Sequence, residues 1–189
     1  MNRREFNKVM GYGALGTGVI STMGFSCQTV VNDISTYVPI GIQAFDTVLS
    51  LIDPPLALAL APIVKEVKVA FADLAAAVSA YNNAPASQKA TLSGKITTAL
   101  NVVIQYLQQF WSDANLPNGS LATTIIGVLQ LIISTLAAFL PLFGGSVAMK
   151  VKFSKQIPII AIKNPKDQKA FKASVNTVLA KGGYSQRIY

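Results

Sequence analysis

The sequence predicts an all-α protein: an antiparallel bundle of about four helices, a short extended arm and a C-terminal amphipathic helix. Three segments repeat apolar residues at helical spacing, and a fourth long segment is uncharged. Short connections rich in Pro, Asn and Gly separate these segments. The 189 residues suffice for one ordinary domain and a targeting segment. Hydrophobic residues make up 51% and charged residues 13%, which excludes a disordered polymer.

Three apolar stripes define the first three predicted helices, because spacings of three and four residues place each stripe on one helix face. They are Val38, Ile42, Phe45, Leu49 and Ile52; Leu60, Val64, Val67, Phe71, Leu74, Val78 and Tyr81; and Leu92, Ile96, Leu100, Val103, Leu107 and Phe110. Asp53-Pro54-Pro55 is predicted to end the first helix, since a residue before proline is pushed out of helical geometry. The third helix should stop before Leu116.

The fourth segment, residues 121–143, contains no charged residue. As a helix it would reach roughly 34 Å, enough to cross a hydrocarbon layer of about 30 Å. It also carries a mildly polar stripe of Thr123, Gly127, Gln130 and Ser134. Such a stripe suits the narrow wet face of a buried bundle helix, or a small-residue contact between helices in a membrane. A buried fourth helix is preferred, and a transmembrane helix is the alternative.

Positive charge is concentrated in the C-terminal tail. Residues 28–149 contain four lysines and six acids, whereas residues 150–189 contain nine basic residues and one acid. Alternating apolar residues from Val147 to Phe153 predict a short strand or extended arm. Asn164 and Pro165 then predict the start of a helix that Gly182-Gly183 ends. The division predicted is an export signal at 1–27, a bundle at 28–145 and a basic arm and helix at 146–189.

The C-terminal helix is amphipathic, with Phe171, Val175 and Val178 on one face. Its lysines and those of the arm are candidates for contact with an anionic surface: Lys150, Lys152, Lys155, Lys163, Lys166, Lys169 and Lys172. A basic amphipathic helix can lie on an anionic membrane. It can equally pack its apolar face on the bundle and leave its lysines in solvent, and the sequence does not decide between these.

The N-terminus has a basic region followed by an uncharged, glycine-rich segment. Arg3, Arg4, Phe6 and Lys8 resemble the twin-arginine (Tat) export motif Arg-Arg-x-Phe-Leu-Lys, with Asn7 in place of Leu. The resemblance implies export of the chain across the bacterial inner membrane and covers the signal alone.

The only cysteine, Cys27, follows Gly24-Phe25-Ser26. This resembles a bacterial lipobox in part, since a small residue precedes the cysteine but Gly24 and Phe25 depart from the pattern. The resemblance implies lipidation of Cys27 as the first mature residue. Cleavage after Ser26 by ordinary signal peptidase is the alternative. Lipidation is preferred because a free thiol is unusual in an oxidising compartment.

Chemistry-bearing patterns are few. The chain has no histidine and one cysteine, which removes histidine-dependent triads, His-ligated metals and an internal disulfide. Glu66 and Asp73 lie seven residues apart and suit a solvated helix face. We therefore predict no catalytic, cofactor-binding or metal-binding residues. Nucleic acid is a poor candidate partner, because the tail lacks clustered arginine and aromatic residues.

These observations predict a non-catalytic, envelope-associated protein that acts as a structural or interaction module, anchored to the membrane and facing the periplasm. The anchor would be a lipid on Cys27 or the segment 121–143, and the basic tail would contact anionic lipid or an acidic protein. One alternative is a carrier that holds a lipid or quinone inside the bundle. A second is an enzyme that uses carboxylate or tyrosine chemistry. The oligomeric state does not follow from the sequence.

Overall fold

A computed structural model describes residues 27–116, 119–144 and 168–189. The helices are α1 (Cys27–Leu49), α2 (Pro54–Ala59), α3 (Ala61–Asn83), α4 (Ala86–Ala114), α5 (Ser120–Phe139) and α6 (Gln168–Lys181), with a 3₁₀ turn at Leu140–Phe143. The predicted all-α class is confirmed, since regular structure in these ranges is entirely helical. The predicted arm, the predicted cap at Asn164 and the boundary at 145 lie outside the described residues.

The four long helices α1, α3, α4 and α5 form the bundle. α3 and α4 pack along their length, α1 packs on α3, and α5 closes the bundle against α1 and α4. The predicted stripes supply the core, with Phe45, Phe71 and Phe110 fully buried. Phe45 and Phe110 meet edge to face with ring centroids 5.1 Å apart, which joins α1 to α4.

Helix α1 is longer than the first stripe predicts. It extends back to Cys27, and Val30, Val31 and Ile34 continue the buried face before Val38. Pro39 lies inside it on the exposed side. Proline lacks the N–H that would bond the carbonyl four residues earlier, but that carbonyl belongs to the exposed residue Ser35 and can bond water. The helix therefore tolerates this proline.

The two prolines after Asp53 separate α1 from the next helix and begin that helix. α1 stops at Leu49, and Pro54 opens the short helix α2, with Asp53 in an extended conformation before it. This placement follows from backbone chemistry, because a proline in the first turn of a helix removes only an N–H that has no helical partner. The sequence predicted the stop and not the new helix.

Helix α5 is the central helix of the bundle. The segment Ser120–Phe143 is long and apolar enough to cross a membrane. Within its most apolar stretch of 18 residues, 67% is buried inside the protein. Ile125, Leu129, Ile132 and Leu136 are fully buried. The structure thus places this segment as the buried fourth helix.

The small, mildly polar stripe of α5 differs in exposure along its length, because Gly127 and Gln130 are buried, Ser134 is half-buried and Thr123 is exposed. Gly127 is buried against Val178 of α6, so closely that a Cβ on Gly127 would lie 2.8 Å from Val178 Cγ1. Gln130 is only 5% exposed. The stripe lets the C-terminal helix approach the bundle, since a glycine removes the side chain that would hold the two backbones apart.

Helix α6 packs its apolar face on the bundle, which is one of the two arrangements the sequence left open. Phe171, Val175 and Leu179 are buried, and the Phe171 ring meets the Tyr37 ring of α1 at 4.9 Å between centroids. The predicted stop is confirmed: Gly183, with φ of 85°, reverses the chain, and the Tyr184 N–H bonds the Leu179 carbonyl.

Candidate functional site

The predicted lipidation residue lies at one end of the bundle. Cys27 is the first described residue of α1, half-buried, and its side chain packs against the core. Four residues surround this end: Gln28 of α1, Tyr81 and Asn82 at the end of α3, and Lys89 in the first turns of α4. We call this group, with Cys27, the Cys27 end.

Polar side chains tie three helices together at the Cys27 end. Lys89 Nζ donates to Gln28 Oε1 at 2.8 Å, and Gln28 Nε2 donates to Asn82 Oδ1 at 2.6 Å. Gln28 uses both atoms of its amide, so it fixes α1 to α3 and α4 at the same time. The lysine ammonium also lies 5.0 Å from the centre of the Tyr81 ring, within cation–π range.

Tyr81 is the side chain of the Cys27 end whose pKa depends on Cys27. Burial raises the pKa of Tyr81 above that of a free phenol, and the charge and hydrogen bonding of Cys27 act in the same direction. The phenol is therefore neutral at ordinary pH and available to hydrogen-bond the sulfur.

The candidate lysines are described only in part. Lys169 is exposed on α6, and Lys172 is half-buried beside the buried face of that helix. Lys150, Lys152, Lys155, Lys163 and Lys166 lie outside the described residues, as do the export residues Arg3, Arg4, Phe6 and Lys8. The structure therefore does not bring the predicted anionic-surface residues together into one site.

Sequence reasoning missed a set of polar groups in the core. Tyr37, Gln130 and Thr135 are at most 5% exposed. Thr135 donates to the Leu131 carbonyl of its own helix at 2.9 Å, and the Gln130 Nε2 group has no hydrogen-bond partner within the described part of the chain. Burial raises the pKa of Tyr37 far above its usual range, and the neighbouring Thr135 hydroxyl offsets little of this. Periodicity could not reveal them, since their burial depends on α6.

An apolar groove lies at the opposite end of α1 from Cys27. It has a volume of about 610 Å³ and runs between the end of α1, α2 and the first half of α3. Two lysines of α3, Lys65 and Lys68, lie among its lining residues. We call it the α2 groove; it could not be predicted from the sequence, because its walls come from three helices.

The acids of α3 form no reactive pair. Glu66 and Asp73 are both exposed on that helix. Across residues 27–116, 119–144 and 168–189 no group of three His, Cys, Asp or Glu side chains is placed to hold a metal ion. The described geometry thus offers surfaces for contact and a groove, and it gives no arrangement of acid, base and nucleophile.

The fold defines the class of the protein as an all-α helical bundle whose C-terminal helix packs on the central helix. No protein-family model, no curated protein and no solved structure matches this chain.

Proposed function

We propose that the protein is a non-catalytic, lipid-anchored interaction module of the bacterial cell envelope, facing the periplasm. One observation carries the proposal: the lipobox-like residue Cys27 lies at one end of the bundle, half-buried against the core. Cleavage immediately before Cys27 keeps the buried residues of α1, from Val30 to Val48. A cut several residues later would remove part of the core.

The position of Cys27 at the end of the bundle supports an anchor there. A residue in the middle of a helix would force the bundle surface against the lipid, whereas a terminal residue leaves the long faces free. Lys89 lies at the same end, and a lysine near an anionic membrane surface adds about 1 kcal/mol of attraction. Acyl chains on Cys27 and a nearby cation would act together, as stable anchoring requires.

The basic tail provides the proposed interaction surface. α6 turns its apolar residues inward, so its lysines are left for solvent or for a partner; Lys169 is exposed. The partner we propose is anionic lipid or an acidic protein, recognised through Lys169, Lys172 and the lysines of the preceding arm. Nothing in this proposal requires catalysis, a cofactor or nucleic acid.

A carrier with its ligand inside the bundle has less support. The positions where α1, α3, α4 and α5 face one another are filled by fully buried side chains, Phe45, Phe71, Phe110 and Phe139 among them. A lipid or quinone there would need to displace close-packed aromatic residues.

The decisive experiment is the intact mass of the protein extracted from membranes, with peptide mapping of both ends. We expect a chain that starts at Cys27 and carries added diacylglycerol and acyl groups. The Cys27→Ser variant should lose the added mass and leave the membrane in carbonate. Ser26→Ala is the matched control, because it keeps a small residue before the cysteine and should be lipidated like the parent.

Two results would overturn the proposal. An unmodified chain cut after Ser26 and recovered in the soluble fraction would remove the lipid anchor. An unmodified chain that still resists carbonate would make residues 121–143 the anchor, which would require the bundle to open. Each outcome is distinguished from the expected one by the same mass spectrum and extraction.

A further inference from the structure

The α2 groove has the size and lining of a site for a small apolar ligand. Its volume of about 610 Å³ lies inside the range of roughly 300 to 1,000 Å³ that is usual for such sites. Its walls include Leu49, Ile52, Ala57, Val64, Val69 and Ala72. Small side chains on α3 leave the groove open, because an alanine occupies little of the space beside its helix.

One exposed large aliphatic residue lines this groove. In the described chain the large hydrophobic residues that remain exposed are Leu58, at 78%, Val69, at 45%, and the terminal Tyr189. Val69 lines the groove, and Leu58 follows the lining residue Ala57 on α2. An exposed aliphatic side chain in the lining marks a surface that gains from being covered, since its hydration is unfavourable.

The charge of the groove is one-sided. Its lining includes Lys65 and Lys68 and no acid. Lys68 pairs with Asp46 of α1 at 2.9 Å, outside the lining, whereas Lys65 forms no ion pair within the part of the chain that the structure describes. Among the described residues, Lys65 is therefore a cation without an ionic partner in the lining of the α2 groove.

We propose that the α2 groove binds a long-chain fatty acid, with the acyl chain along the apolar wall and the carboxylate beside Lys65. Each part of the ligand has its counterpart: methylene groups cover Val69 and the alanines, and the anionic head meets the unpaired ammonium. The groove and Cys27 lie about 33 Å apart along α1, so this proposal does not depend on lipidation of Cys27.

The test uses the full chain with Cys27→Ser, freed of bound lipid, so that no acyl chain of its own competes. Calorimetric titration uses dodecanoate, dodecanol and dodecyltrimethylammonium below micelle-forming concentrations. These probes carry an anionic, a neutral and a cationic headgroup on the same alkyl chain. We expect dodecanoate to bind most tightly and dodecyltrimethylammonium most weakly. Amide NMR signals of Val69 and Ala72 should shift during the dodecanoate titration.

Two variants separate the contributions of the wall and the charge. Ala72→Leu fills the groove from an exposed helical position where leucine is well tolerated, and it should weaken all binding at least about tenfold. Lys65→Glu should weaken dodecanoate about fivefold, the scale of an exposed ion pair, and favour the cationic probe. Lys181→Glu on α6 is the matched control and should leave binding unchanged.

Several outcomes overturn the assignment. Absence of dodecanoate binding, or NMR shifts confined to other residues, would exclude the groove as a fatty-acid site. Equal affinity for the three probes in the parent and in Lys65→Glu would exclude recognition of a carboxylate and leave an apolar protein segment as the occupant. Unchanged binding in Ala72→Leu would place the ligand elsewhere.

Discussion

Single residues decide how the last helix meets the bundle. Gly127 lies under Val178, and Gly182 lies under Thr124, so two contacts between α5 and α6 depend on the absence of a side chain. Thr124 is itself buried and donates to the Ser120 carbonyl at 2.8 Å, which fixes its rotamer. The two close approaches lie about one helical turn apart and join the C-terminal end of α6 to the N-terminal half of α5.

We expect Gly127→Ala to destabilise the protein by about 1 kcal/mol. Overpacking against the branched Val178 costs roughly 1 to 3 kcal/mol, and the higher helix propensity of alanine returns up to about 1 kcal/mol. Gly94→Ala is the control, since a Cβ on Gly94 meets nothing within 4 Å; it should stabilise by up to about 1 kcal/mol. Urea unfolding of both variants measures the difference.

The same substitution in a Val178→Ala variant tests whether the contact between Gly127 and Val178 causes the effect. In Val178→Ala the space above Gly127 is free, so adding Gly127→Ala should become stabilising. If Gly127→Ala is equally destabilising with and without Val178, the close approach is not its cause, and the packing of α6 described above is wrong.

Ionisation of Tyr37 should lower the folding stability of the protein at alkaline pH. Burial raises the pKa of Tyr37 above the 10.0 of a free phenol, so the folded state holds the proton more tightly than the unfolded chain. Its contribution is complete below pH 10 and is lost as the pH rises above 10, by about 1.4 kcal/mol per pH unit. Tyr37→Phe should therefore lower the slope of unfolding free energy between pH 10 and 11 by about that amount, measured in urea. An unchanged slope would contradict the burial of this phenol.

At the scale of elements, helical periodicity predicted which residues are buried where burial depends on one face of a helix. The stripes from Leu60 to Tyr81 and from Leu92 to Phe110 are buried nearly throughout, because a helix against a core repeats its contacts every three or four residues. The start of α1 escaped prediction, since Asn32, Asp33 and other polar residues interrupt the apolar pattern there. The packing of α6 could not be predicted, because an apolar helix face does not indicate which surface covers it.

The C-terminal residues are held by one side chain of α6. The Asn176 amide accepts from the Ile188 N–H at 2.9 Å and donates to the Ile188 carbonyl at 3.2 Å, and Ile188 is buried. A single asparagine thus satisfies both backbone groups of a residue that belongs to no helix.

We expect Asn176→Ala to release this segment and to lower stability by about 1 to 3 kcal/mol, the scale of two part-buried hydrogen bonds. Hydrogen exchange of the Ile188 amide should accelerate strongly. Asn101→Ala is the control, because the Asn101 amide bonds only the Thr97 carbonyl of its own helix. Retained protection of Ile188 in Asn176→Ala would show that burial alone holds the segment.

At the scale of the whole molecule, the sequence suggests the proposed anchor but does not indicate the groove. The resemblance of the residues before Cys27 to a lipobox can be proposed from sequence because it is a local pattern of neighbouring residues. The α2 groove depends on the angle between α1 and α3 and on α2, which the paired prolines begin. Lys65 and Lys68 are indistinguishable in sequence, and only the structure shows that Asp46 neutralises one of them.

The position of Cys27 beside the bundle has a consequence for the proposed lipid anchor. A lipoprotein on a long flexible linker sweeps a wide volume above the membrane, whereas Cys27 packs against the core of this bundle, so an anchor there would have no spacer. Tethered at Cys27, the bundle would stay within its own length, about 33 Å along α1, of the lipid headgroups. Such a molecule would meet only partners and lipids that diffuse to it in the same membrane, and it would not bridge to a distant one.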